Sequence, residues 1–202
     1  MNVVLIGYRG SGKSAVGRRL ASRMGKRFAD TDDLIESKEG KISDLVKSHG
    51  WDHFRSIEKR MIEEISEEDN LVLALGGGAV LDADNVKALK KNGFIIWLKA
   101  DPEVLRKRMM EDHRTPLSRP TLTGRGVVQE LEEVMAYRDP FYEEAGRIQV
   151  DTSPLDVEAV VEKILTMLKE AMRRRRTCVR CWTRRHSCGP SCWRGTTAVR
   201  RR

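Results

Sequence analysis

Cysteine is absent from the first 172 residues of this 202-residue chain, and all four cysteines lie in residues 173–202. The larger part of the sequence therefore folds without a disulfide, as expected in a reducing compartment. The chain also has no apolar run near the ~20 residues that cross a bilayer, so no membrane span is predicted. No secretory leader precedes the first predicted strand. Together these absences predict a cytoplasmic protein.

Acidic residues are absent from the end of the chain, and this absence explains the net charge of +8. Residues 173–202 contain eleven arginines, no lysine and no acidic residue. Subtracting them from 38 basic and 30 acidic residues leaves 27 basic and 30 acidic residues, a net charge of −3, in residues 1–172. We therefore expect a mildly acidic domain over 1–172 and a separate basic tail over 173–202.

No internal repeat is visible, and strand and helix patterns alternate through residues 2–172. Short apolar runs predict five strands, at residues 2–6, 27–31, 71–75, 94–98 and 147–150. Helical patterns lie between and after them, at 13–24, 42–47, 53–65, 82–91, 102–110, 127–144 and 155–172. Residues 112–126 hold two prolines and two glycines and predict a loop. The fold class is therefore α/β, a five-stranded parallel sheet flanked by helices.

Residues 7–14 read GYRGSGKS and fit the phosphate-binding P-loop pattern G-x-x-x-x-G-K-[ST]. Its glycines let backbone N–H groups turn towards phosphate oxygens. Lys13 supplies a positive charge for the β- and γ-phosphates, and the Ser14 hydroxyl is a ligand for Mg²⁺. A predicted strand precedes the pattern and a helix follows it, so the helix dipole adds to the anion site. The pattern therefore predicts a nucleotide site rather than a chance glycine-rich turn.

An acidic pair, Asp30 and Asp32, follows the second predicted strand. Two residues apart in extended backbone, their side chains share one side. One carboxylate can hold Mg²⁺ or its waters while the other accepts the proton of an acceptor hydroxyl, as phosphoryl transfer to an alcohol requires. The alternative is a solvated strand end in which Asp33 caps the next helix.

A charged pair, Arg55 and Glu58, lies three residues apart on the helix predicted at 53–65. Such a pair would hold a guanidinium ready for a substrate carboxylate, which arginine binds with two hydrogen bonds. The alternative is an exposed surface ion pair.

Three consecutive glycines, Gly76, Gly77 and Gly78, follow the strand predicted at 71–75. Glycines at the carboxyl end of a strand let a ligand approach the backbone closely. A flexible turn is the alternative, but a turn rarely needs three glycines.

Together these segments resemble the shikimate kinase family. The matching pieces are GYRGSGKSAVG, FADTDDLIE, FRSIE, LALGGGAV, SRPTL and YRDPFYEEA, and they occur in the family's order over residues 1–170. Many nucleotide-binding enzymes share the P-loop, whereas D-T-D, F-R-x-x-E, G-G-G and R-P in combination are more specific. The resemblance implies a P-loop kinase fold with a lid loop at about 112–126.

The resemblance also implies roles for residues on both sides of the reaction. The residues implied to bind ATP are Gly10, Ser11, Gly12, Lys13, Ser14, Ala15, Arg108 along the adenine and Arg119 from the lid. Those implied to bind shikimate are Asp32, Arg55, Gly76, Gly77, Gly78 and Arg138. Ser14 and Asp30 hold Mg²⁺, Glu58 orients Arg55, and the catalytic residues are Lys13, Asp32 as base and Arg119.

Three of these implied roles have alternatives. Arg138, near the end of a predicted helix, could merely cap it. Arg108 could be one of several solvated bases, since Arg106 and Lys107 precede it. Arg114 could share or take the lid role of Arg119. Residues 151–154, expected near the adenine, offer no arginine.

The implied reaction is the ATP-dependent phosphorylation of the 3-hydroxyl group of shikimate, giving shikimate 3-phosphate and ADP in aromatic amino acid biosynthesis. A monomer that uses Mg²⁺ is expected. The nearest alternative is a related small-molecule kinase such as a gluconate kinase, which would not need two arginines for this carboxylate. A second alternative is a nucleotide-binding regulatory or RNA-associated protein that acts through the basic tail.

The tail itself has the residue types of a zinc site. Cys178, Cys181, Cys188 and Cys192 occur with His186 nearby, although the spacing of the second pair is unusual. Arginines interleaved with Trp182 and Trp193 also suit nucleic acid. The segment has no apolar periodicity and a sharp break in composition, which favours a disordered extension or a shifted reading frame over both.

Overall fold

A computed structural model describes residues 1–111 and 131–183, with side chains to residue 173. The predicted lid with Arg114 and Arg119 lies outside these residues, as do His186, Cys188, Cys192 and Trp193. The strands are β1 (Asn2–Ile6), β2 (Arg27–Asp30), β3 (Leu71–Ala74), β4 (Gly93–Lys99) and β5 (Ile148–Asp151). The helices are α1 (Lys13–Met24), α2 (Thr31–Glu39), α3 (Ile42–Ser66), α4 (Ala83–Asn92), α5 (Pro102–Glu111), α6 (Leu131–Ala145) and α7 (Val157–Thr183). A 3₁₀ turn covers Ala79–Leu81.

The five strands form one parallel sheet in the order β2-β3-β1-β4-β5. Strand β1 lies at its centre, where Val4 pairs with Leu73 on one side and Ile95 on the other. All five residues of β1 are buried, as expected of a strand with helices on both faces. The predicted α/β fold with a five-stranded parallel sheet is confirmed.

Side chains of β1 alternate between the two faces of the sheet. Val4 and Ile6 belong to a core cluster with residues of α3, α4 and α6, including Ile62, Leu89 and Tyr142. Leu5 points to the opposite face, where α1 packs so closely that a methyl group on Gly17 would lie 3.3 Å from Leu5 Cδ1. The sheet is therefore covered on both sides.

The second strand ends earlier than the sequence predicted. Thr31 was expected in the strand, but the helix α2 begins there because the Asp30 side chain accepts a hydrogen bond from the Asp32 backbone N–H, at 3.1 Å. An aspartate in this capping position starts a helix. Asp30, and not Asp33, is therefore the cap.

Two helix boundaries also differ from the predictions. The interruption predicted between the helices at 42–47 and 53–65 is present but narrower, because α3 covers both segments and leaves the helical conformation only at Gly50, whose φ is 81° and ψ 173°. The last helix, predicted to end at residue 172, continues to Thr183. The domain boundary expected near 172 stays a prediction.

The chain divides into two compact units, Met1–Lys163 and Ile164–Arg202. The first unit contains the whole sheet and every site residue discussed below. Within the described ranges, no helix combines the length and apolar character that crossing a membrane requires.

Candidate active site

The loop between β1 and α1 is arranged to receive phosphate groups. Gly10 and Gly12 adopt φ values of 78° and 90°, which favour glycine over other residues. The ammonium group of Lys13 donates hydrogen bonds to the carbonyl oxygens of Gly7 and Tyr8, at 2.9 and 2.8 Å. The lysine thus lies folded over the loop at the first turn of α1, where the helix dipole attracts anions.

The predicted metal residues, Ser14 and Asp30, are in contact. The Ser14 hydroxyl donates a hydrogen bond of 2.6 Å to Asp30 Oδ2, while Asp30 Oδ1 caps α2. A hydroxyl and a carboxylate are hard oxygen ligands of the kind that Mg²⁺ prefers, and Mg²⁺ takes its other ligands from water and substrate phosphates. The donor set therefore fits Mg²⁺.

The position of Asp32 differs from the predicted one, because Asp32 lies in a helix and not in extended backbone. The two residues do not share a side of extended backbone, since Asp32 is in the first turn of α2. Its carboxylate instead approaches Gly76, where a methyl group would lie 2.9 Å from Asp32 Oδ1. Turning the chain at Thr31 brings the carboxylate to the glycine segment.

Thr31 is a site residue that sequence reasoning missed. Its side chain is fully buried and its hydroxyl oxygen accepts a hydrogen bond of 2.9 Å from the Gly76 backbone N–H. This bond fastens the start of α2 to the end of β3. The only sign of this role in the sequence is the position of a small hydroxyl residue between Asp30 and Asp32.

Arg55 and Glu58 form an ion pair in which only the arginine is accessible. Side-chain exposure is 33% for Arg55 and 2% for Glu58. Burial raises the pKa of the Glu58 carboxyl above its ordinary value, and the charge and hydrogen bond of Arg55 and the charge of Arg138 oppose that rise. The alternative of an exposed pair is therefore wrong.

The ion pair is also held by aromatic rings. The Arg55 Cζ atom lies 5.5 Å from the ring centroid of Trp51 and 5.2 Å from that of Phe54. Both distances are within the range of cation–π attraction. The guanidinium is thereby fixed in place with one part open to a ligand.

Gly76, Gly77 and Gly78 each face a charged side chain of the site. A methyl group on Gly76 would lie 2.6 Å from Glu58 Oε1, and one on Gly78 would lie 2.7 Å from Arg55 Cζ. One on Gly77 would lie 3.4 Å from Arg138 Nη1. The glycines therefore make room for the protein's own carboxylates and guanidiniums.

Arg138 lies in the middle of α6 and is 8% exposed. The helix continues to Ala145, so the alternative of a helix cap is wrong. One turn further on, the Tyr142 hydroxyl donates a hydrogen bond of 2.5 Å to the Gly77 carbonyl oxygen, and burial raises the pKa of Tyr142. Helix α6 is thereby joined to the glycine segment beside Arg138.

Arg108 bridges the P-loop and the chain after β5. It donates hydrogen bonds to the Thr152 carbonyl oxygen at 2.8 Å, to Thr152 Oγ1 at 3.1 Å and to the Gly10 carbonyl oxygen at 3.4 Å. Arg108 is therefore not a freely solvated base. Thr152 is 2% exposed, lies beside the P-loop and was not predicted as a site residue. The expected position of residues 151–154 near the adenine stays a prediction.

The site combines a phosphate loop, a hydroxyl and a carboxylate that suit a cation, and two arginines beside two further carboxylates. This combination is typical of P-loop kinases that act on small molecules. A sequence model of the family described as shikimate kinase matches residues 9–169. The chain belongs to the shikimate kinase family, as its sequence predicted.

Individual relatives agree with the family assignment. The chain is 42% identical over 173 residues to the shikimate kinase of Symbiobacterium thermophilum, covering 84% of this chain and 97% of that protein. It is 38% identical to the shikimate kinase of Syntrophus aciditrophicus, covering 81% and 89%. The solved structure of the Acinetobacter baumannii shikimate kinase in complex with shikimate has a TM-score of 0.78 and 33% identity, covering 84% and 93%.

Proposed function

We propose that this chain transfers the γ-phosphoryl group of ATP to the 3-hydroxyl group of shikimate, giving shikimate 3-phosphate and ADP. The observation that carries the proposal is the placement of Asp32, Glu58, Arg55 and Arg138 around Gly76–Gly78. A hydroxylated ring acid needs cations for its carboxylate and a carboxylate for its hydroxyl, and this site offers both. A monomeric state and a cytoplasmic location complete the proposal.

The donor half of the proposed site is the P-loop and the first turn of α1. The residues assigned to the ATP phosphates are Gly10, Ser11, Gly12, Lys13, Ser14 and Ala15. In this proposal Lys13 exchanges its hydrogen bonds to the loop carbonyls for phosphate oxygens. Its charge then stabilises the negative charge that moves onto the β-phosphate as the γ-phosphoryl group leaves.

The proposed cofactor is Mg²⁺, held by Ser14 directly and by Asp30 through water. When bound, Mg²⁺ neutralises charge on the β- and γ-phosphates. Ser14 would supply its hydroxyl oxygen as a ligand, and Asp30 would keep its role as the cap of α2. The same aspartate thus fixes both the cation site and the position of Asp32.

The acceptor half of the proposed site orients shikimate and activates its hydroxyl group. Arg55 and Arg138 bind the carboxylate, and the ion pair with Glu58 orients Arg55. Asp32 accepts the proton of the 3-hydroxyl group as that oxygen bonds to the γ-phosphorus and the bond to the bridging oxygen of ADP breaks. The glycines form the wall against which the ring lies.

Two arginine assignments concern the nucleotide. Arg108, anchored between Gly10 and Thr152, is assigned to the adenine side. Arg119, outside the described residues, is assigned to the transferring phosphoryl group, with Arg114 as the alternative. An arginine in that role is worth ~10³–10⁵ in rate in phosphoryl transfer.

The product of the reaction tests the proposal. The chain is incubated with ATP, Mg²⁺ and shikimate, and a proton–phosphorus correlation spectrum identifies the phosphorylated oxygen. We expect phosphorus coupled to the proton on carbon 3, and ~10²-fold slower formation of the product by Lys13→Ala. Phosphorus on another ring oxygen, or ADP formed without a phosphorylated ring acid, would contradict the proposal.

A further inference from the structure

The side chain of Tyr8 lies where the phosphate loop meets the acceptor half of the site. Tyr8 is 8% exposed and belongs to a core cluster with Leu105, Met109 and Met135. The Arg138 Cζ atom is 5.8 Å from the centroid of its ring. This distance is within the range of cation–π attraction, which strengthens when both groups are desolvated.

The backbone of the same residue belongs to the donor half. The Tyr8 carbonyl oxygen accepts hydrogen bonds from Lys13 Nζ at 2.8 Å and from the Ser11 backbone N–H at 3.2 Å. Tyr8 therefore contacts the phosphate-binding lysine through its backbone and the acceptor-side arginine through its ring. Because the two contacts use different atoms, a substitution can change one and keep the other.

The guanidinium of Arg138 depends on such neighbours for its position. Among the described residues its Nε atom is buried without a hydrogen-bond partner. A long side chain has many rotamers, and fixing it for a ligand requires contacts that limit them. The Tyr8 ring and the Tyr142 hydroxyl supply such contacts.

We infer that Tyr8 is a positioning residue for the phosphoryl acceptor. Its ring holds the Arg138 guanidinium, and through it the acceptor carboxylate, at a fixed distance from the P-loop. The inference rests on the proposed function, in which Arg138 binds the carboxylate of shikimate. It adds that the P-loop sets the position of the acceptor as well as that of the nucleotide.

Steady-state kinetics of the full-length chain test this role. Tyr8→Leu removes the ring and keeps the backbone, so the KM for shikimate should rise about 3- to 30-fold. The KM for ATP should stay within about twofold, and kcat should change less than the KM for shikimate. Tyr8→Phe keeps the ring, so its KM for shikimate should equal that of the wild type. Tyr137→Leu, at an exposed position beside Arg138, is the matched control.

A double variant separates this role from a general effect on packing. In the Arg138→Ala background, Tyr8→Leu should add less than about twofold to the KM for shikimate, because its effect passes through Arg138. The inference would be overturned if the effects of Tyr8→Leu and Arg138→Ala on the KM for shikimate were fully additive. It would also be overturned if Tyr8→Leu raised the KM for ATP as much as that for shikimate, or left the KM for shikimate unchanged. An unchanged KM for shikimate in Arg138→Ala would contradict the proposed carboxylate site itself, and with it the premise of the inference about Tyr8.

Discussion

The Ser14 hydroxyl donates a hydrogen bond of 2.6 Å to Asp30 Oδ2, joining the first turn of α1 to the end of β2. The second oxygen of the same carboxylate accepts from the Asp32 N–H and starts α2. One aspartate thus connects the phosphate loop, the proposed cation site and the proposed base. The distance between the proposed nucleotide site and the proposed acceptor site is therefore set by the two hydrogen bonds of Asp30 as well as by the sheet.

Substitutions of Asp30 should separate its two roles. Asp30→Asn keeps a side chain that caps helices but removes the charge, so stability should hold while the Mg²⁺ concentration for half-maximal activity rises. Asp30→Ala should also lose about 1 kcal/mol of stability with the cap. Activity is titrated with Mg²⁺ and unfolding is followed with urea. An unchanged Mg²⁺ dependence in Asp30→Asn would remove Asp30 from the cation site.

Lys13→Ala should lower kcat by ~10² or more, since it removes a charge at the oxygens where negative charge develops. The measurement is the rate of ADP release at saturating shikimate. Arg18→Ala, a change at an exposed position on the same helix, is the control. A rate within a few-fold of wild type would count against the P-loop assignment.

Asp32→Asn should lower kcat by about 10²–10⁴ with the fold intact, because an amide cannot accept the hydroxyl proton. The Asp30 cap uses the backbone N–H of Asp32 and is kept. Circular dichroism checks the fold, and single-turnover kinetics report the chemical step. Full turnover in this variant would show that the base lies elsewhere.

Glu58→Gln should change how stability depends on pH. Because burial raises the pKa of Glu58 above 4.5, its protonated form stabilises the fold at low pH, and this contribution is lost as pH rises through the raised pKa. The Tm of Glu58→Gln relative to wild type should therefore increase from pH 4.5 upward and then level off.

The control for this pH dependence is Glu63→Gln, an exposed position on the same helix. Thermal unfolding of the three proteins is followed across the pH range. A Tm difference for Glu58→Gln that is flat, or that falls with rising pH, would contradict the account of a buried, costly carboxylate.

The sheet and the donor half of the site could be predicted from the sequence because both depend on local patterns. An apolar strand followed by a glycine-rich loop and a helix specifies the P-loop within about twenty residues. The start of α2 at Thr31 was misplaced because a capping bond decides it. The interruption predicted between residues 47 and 53 is narrower than expected, because only Gly50 leaves the helical conformation.

The acceptor half depends on contacts between distant segments, and sequence alone gave candidates without their arrangement. The burial of Glu58 distinguishes its ion pair from a surface pair. Glu58 is four residues from both Phe54 and Ile62, on the apolar face of α3, but its position beside Gly76 depends on a contact between distant segments. Thr31, Thr152 and Tyr8 act through bonds or ring contacts to other segments, so their roles appeared only in the fold.

The choice of phosphoryl acceptor tests the proposed shikimate kinase activity. ADP release by the full-length chain is measured with ATP and Mg²⁺ in the presence of shikimate, gluconate or a nucleoside monophosphate. We expect release that depends on shikimate, with kcat/KM at least about 10²-fold above that for the other two acceptors. Equal or greater release with gluconate or a nucleoside monophosphate, or none with shikimate, would contradict it.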